Sequence, residues 1–77
     1  MVITDIDYSN RFLEVLQYLQ STYEKFPKFL IEIIAENFGI PSSEVKELIY
    51  MFRKKGMLKI LKDEGYYFQL QQNQENL

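Results

Sequence analysis

The chain has 77 residues, a net charge of −2 and 47% hydrophobic residues, which makes one small domain with enough apolar surface to fold. It holds no Cys and no His, so disulfides, thiolate metal sites, thiol nucleophiles, structural zinc and His-based acid–base chemistry are excluded. No apolar run nears the ~20 residues of a membrane span, and MVITDIDYS lacks the basic start and apolar stretch of a secretory signal, so the cytoplasm is the expected compartment.

Residues 1–8 read as an N-terminal arm. Ser9 or Asp7 can cap a first helix that runs to about Lys25. Its main apolar stripe is Phe12, Leu16, Leu19, Tyr23 and Phe26, with Leu13 on one flank and Val15 and Tyr18 on the other. This arc is wider than the ~100° stripe a surface helix needs. Either the segment Val2–Tyr8 folds over the extra face, or a second copy covers it in a homodimer through this helix and the arm.

Pro27 starts a second helix, where its missing N–H costs nothing. Phe29, Leu30, Ile33, Ile34 and Phe38 are its expected buried face, and Ile31 is left over, exposed or at an interface. Gly39 supplies the φ > 0 residue that stops this helix. Pro41 and the Ser42-Ser43 pair restart the chain, with Glu44 close behind. Val45, Leu48, Ile49 and Phe52 then recur at i, i+3, i+4 and i+7, the stripe of an amphipathic third helix. Arg53, Lys54 and Lys55 suit its C-terminal end, and Gly56 stops it.

Met57, Leu58 and Ile60 open a strand, with Leu58 and Ile60 turned to the core. Asp63-Glu64-Gly65 reads as a hairpin turn. Tyr66, Phe68 and Leu70 then alternate with Tyr67, Gln69 and Gln71, the period of a strand covered on one face. The expected layout is an arm over 1–8, three helices over 9–56, a hairpin over 57–70 and a flexible tail over 71–77. No repeat or linker interrupts it.

Charge is unevenly spread. Residues 1–45 carry net −4, residues 46–62 carry net +5, and residues 63–77 carry net −3. The positive charge gathers on the third helix and the strand after it. Such a patch can dock on phosphates although the whole chain is acidic. Lysines and arginines also serve simply to solvate a helix end or an edge strand.

Helix, glycine turn, second helix, glycine stop and hairpin, over about residues 9–70, together resemble a winged helix-turn-helix domain. The resemblance implies a mainly α fold with a small β-hairpin, a three-helix winged-helix domain. It also implies a function: a double-stranded-DNA-binding transcription regulator acting as a homodimer, with its third helix in the major groove. Carried onto this chain, the contact residues are Ser42, Ser43, Lys46, Glu47, Tyr50, Arg53 and Lys54, with Lys59 and Lys62 of the wing on phosphates. Lys46 can reach guanine, and Glu47 can accept from a cytosine amino group. The acidic tip Asp63-Glu64 departs from many DNA-contacting wings. The alternative is a winged helix used as a protein-interaction module in a larger assembly. No catalytic residue, metal or cofactor is expected: the acidic residues are not spaced with a nucleophile, and there is no Gly-rich phosphate loop.

Overall fold

The computed structural model describes residues 7–62 and 65–71. The start of the expected arm, the Asp63-Glu64 tip and the tail beyond Gln71 lie outside the described residues. Three helices are followed by a two-stranded antiparallel hairpin, a mainly helical, winged-helix-like arrangement: α1 Ser9–Thr22, α2 Lys28–Asn37, α3 Ser42–Lys54, β1 Leu58–Lys62 and β2 Tyr66–Leu70. One apolar cluster joins all five elements. Phe12, Val15, Leu16 and Leu19 come from α1, Ile31 and Ala35 from α2, Val45, Leu48, Ile49 and Phe52 from α3, and Leu58, Phe68 and Leu70 from the hairpin. The Phe12 and Phe52 rings meet edge to face, centroids 5.1 Å apart.

α1 is shorter than its apolar stripe suggests. Tyr23 is already extended, at φ −127° and ψ 145°. The Ser21 and Thr22 hydroxyls donate to the Tyr18 carbonyl at 2.7 and 3.2 Å, competing with the helical ladder. Pro27 disfavours helical geometry at Phe26 before it. Phe26 is fully buried, but not on a helix face: it pairs with Phe68, exchanging backbone bonds of 3.0 and 2.7 Å. Tyr23, placed on the buried stripe by its spacing, is 43% exposed. Asp7 contributes at the other end, where its carboxylate accepts from the Ser9 N–H at 3.0 Å. That bond, the Ser9 side chain and the Lys55 charge hold the carboxyl below its ordinary pKa.

α2 is rotated from the expected register. Ile31, expected to be left over, is fully buried with Ala35, while Phe29 and Ile33 point to solvent at 60% and 50% exposure. The string Phe29–Ile34 contains five apolar residues in six, so periodicity alone could not choose its inner face.

Both helix stops work as their glycines suggest. Gly39 and Gly56 sit at φ 82° and 77°. In each case the two N–H groups after the helix bond back to its last turn: Gly39 to Glu36 and Ile40 to Ala35, then Gly56 to Arg53 and Met57 to Phe52. The start of α3 differs from expectation. Pro41 occupies the cap position and Ser42 is already helical, so neither serine caps with its side chain. Glu44 does fall in the first turn, where a carboxylate suits the positive helix end.

Candidate nucleic-acid interface

The interface is built by the amphipathic period of α3. Val45, Leu48, Ile49 and Phe52 are all nearly inaccessible, which anchors the helix and fixes its rotation. Ser43, Lys46, Glu47, Tyr50, Arg53 and Lys54 are consequently exposed on the opposite side. Ser43, Lys46, Glu47 and Tyr50 line one shallow concavity of about 360 Å³, and Tyr50, Arg53 and Lys54 line the next, about 190 Å³. Tyr50, 58% exposed, belongs to both and forms the middle of a continuous surface about three turns long. Lys54 Nζ stands 5.5 Å from its ring centroid, a cation–π contact that orients both side chains. Ser42 is exposed at the helix start but lines neither concavity.

The three consecutive basic residues at the end of α3 do not act alike. Arg53 and Lys54 face outward. Lys55, at the helix end, lies 5.9 Å over the Phe52 ring and is close enough to Asp7 to lower its pKa. Arg11 was not among the residues singled out from sequence. Its guanidinium nevertheless lies against the turn into α3: a Cβ on Gly39 would stand 3.0 Å from Arg11 Nη1. Twenty-eight positions separate the two residues, and nothing local in the sequence signals their meeting.

The hairpin splits its two lysines. Its register pairs Leu58 with Leu70, Ile60 with Phe68 and Lys62 with Tyr66, while Lys59 pairs with Gln69 and Leu61 with Tyr67. Successive strand side chains point to opposite faces, so Lys59 and Lys62, three apart, cannot share one. Lys62 continues the core-facing row past the end of the core, where its Nζ lies 5.8 Å from the ring of Tyr66, itself 65% exposed. Lys59 stands on the other face.

The hairpin is held to the helices along its β2 edge. Phe26 makes the backbone bridge, and Gln20 makes a side-chain one, its Oε1 accepting from Leu70 N–H at 2.9 Å and its Nε2 donating to the Glu24 carbonyl at 2.9 Å. Gln69 Nε2 donates to the same carbonyl at 3.2 Å. These bonds fix the β2 edge of the hairpin against α1 and the segment that follows it. Among the described residues no group of His, Cys, Asp or Glu could hold a metal ion, and no helix is long and apolar enough to cross a membrane. No protein-family model, no curated protein and no solved structure matches this chain.

Proposed function

We propose that this chain is a sequence-selective double-stranded-DNA-binding protein of the winged-helix type, a transcription regulator working in the cytoplasm without a cofactor and without catalysis. One observation carries the reading. The outward face of α3 is a single uncovered surface bearing Lys46, Arg53 and Lys54 with Ser43, Glu47 and Tyr50 between them, while Val45, Leu48, Ile49 and Phe52 lock the helix into the core. An α-helix fits the major groove, and these side chains supply the donors, acceptors and apolar surface that base edges and phosphates require. Lys46 and Tyr50 sit toward the middle and start of the helix and are assigned to bases. Arg53 and Lys54 at its end are assigned to phosphates.

Fluorescence anisotropy with labelled duplexes tests this. Binding to random duplex at low salt should weaken steeply as salt rises. Lys54→Ala should weaken binding to all sequences alike, whereas Lys46→Ala should change which sequences are preferred. Absence of binding at low salt, on random and on selected duplexes, would transfer the α3 surface to the alternative role of a protein-docking face.

A further inference from the structure

Glu47 is the sole acid in the basic stretch 46–62, and it stands on the outward face of α3 among the cations. Its direction is fixed by its neighbours. Leu48 and Ile49, the next two residues, are buried, so Glu47 is turned away from the core and exposed. It shares a concavity with Ser43, Lys46 and Tyr50. Other acids have work within the chain. Asp7 accepts from the Ser9 N–H, Glu32 pairs with Lys28 at 3.8 Å, and Glu44 lies in the first turn of α3. Among the described residues Glu47 makes no hydrogen bond and no ion pair. Lys54, two turns on, holds its ammonium 5.5 Å from the Tyr50 ring centroid. Lys46 is adjacent in sequence, and adjacent helical side chains diverge by about 100°.

In water an unpaired carboxylate on the surface costs nothing. Against a duplex it is repelled by the phosphates, unless it meets a hydrogen-bond donor on a base edge. The major groove offers two such donors, the amino groups of cytosine and adenine. Adenine sets an acceptor nitrogen beside its amino group, and that lone pair repels a carboxylate. Cytosine presents its amino donor with no acceptor beside it on the same base, so a carboxylate selects cytosine. We propose, on the reading of α3 as a major-groove helix, that Glu47 is a specificity-determining residue: its carboxylate accepts from a cytosine amino group, and the preferred duplex carries a C·G pair at that position. Repulsion by the phosphates then lowers affinity for every other sequence. The carboxylate thus acts twice, by favouring the right pair and by weakening non-specific binding. Lys46, in the same concavity, supplies the complementary donor for guanine acceptors.

The test is selection of tight-binding duplexes from a randomised pool by the full chain, followed by anisotropy titrations. The selected duplexes should share one C·G pair. Replacing that pair should weaken the parent by roughly 5- to 150-fold, the usual cost of one mismatched pair. An amide carries a donor and an acceptor, which match adenine. Glu47→Gln should therefore move the preference at that one position from cytosine to adenine and leave the others as they were. Glu47→Ala should bind all four pairs there about equally and hold random duplex more tightly than the parent does. Circular dichroism checks that both variants are folded, and either one decides. If Glu47→Gln and Glu47→Ala bind every duplex more tightly with the parent's preferences unchanged, Glu47 is only a repelled charge and the proposal is overturned. Selected duplexes without a shared C·G pair would overturn it as well. In both of those outcomes DNA is still bound, so the reading of α3 as a DNA-binding helix stands. Absence of binding to any duplex at low salt would remove both together.

Discussion

Gly56 occupies φ 77°, and nothing lies within 4 Å of where its Cβ would be. A side chain there would touch nothing and lose nothing, so any cost must come from the backbone. L-residues in the left-handed region are disfavoured by about 1–2 kcal/mol. Gly56→Ala should therefore destabilise the fold by that amount in urea denaturation, and a chemically made chain with D-alanine at 56 should match or slightly exceed the parent. Equal stability of the two alanine forms would mean that the end of α3 does not hold Gly56 in this conformation. Gly39 differs, since a Cβ there would also press on the end of the Arg11 side chain. The roles of these two glycines were legible in the sequence because each follows a helical stripe and precedes a break. The difference between Lys54 and Lys55 was not. It depends on which way the last helical turn faces and on Asp7, far off along the chain.

Elements were legible in proportion to how cleanly their patterns separate inside from outside. α3 has one apolar and one polar side, and its buried set is the one its spacing predicts. α2 has apolar residues on nearly every side, and its inner face was decided by packing against α1 and α3. α1 ended early because Ser21, Thr22 and Pro27 outweigh a stripe that continues to Phe26, and Phe26 found its burial against the hairpin instead. Gln20 belongs to this junction, and a solitary glutamine gives no sequence signal of such a role. Gln20→Ala should leave the partly buried Leu70 N–H without its acceptor, a loss of about 1–3 kcal/mol when such a group goes unsatisfied. Amide exchange at Leu70 should quicken accordingly. Gln20→Glu keeps an acceptor for Leu70 while losing the donor to Glu24, so Leu70 should stay protected in that variant. Unchanged exchange in Gln20→Ala would show that the bond does not hold the hairpin.

Across the whole molecule, the candidate interface was legible wherever it lies on one helix and illegible where it depends on how the helix and hairpin combine. The basic cluster over residues 46–62 suggests five cations on one surface: Lys46, Arg53, Lys54, Lys59 and Lys62. The strand register changes that count, because Lys59 and Lys62 point to opposite faces of the hairpin. A duplex lying against α3 can be met by only one wing face at a time. With Lys46 on a base, Arg53, Lys54 and one wing lysine neutralise three phosphates in each chain, and the slope of log affinity against log salt should be about −2.7. Both wing lysines together would make four and give about −3.6. The two wing lysines separate the cases further. Of Lys59→Ala and Lys62→Ala, one should reduce the slope by about 0.9 while the other leaves it near the parent's. Lys62 has its ammonium over the Tyr66 ring beyond the core, whereas Lys59 extends from the opposite face with no ring over it among the described residues. Lys59 is thus the freer to follow a phosphate, and Lys59→Ala is expected to carry the change. Equal reductions from both substitutions would mean that the duplex grips the wing from both faces, and that the hairpin enters a groove edge-on.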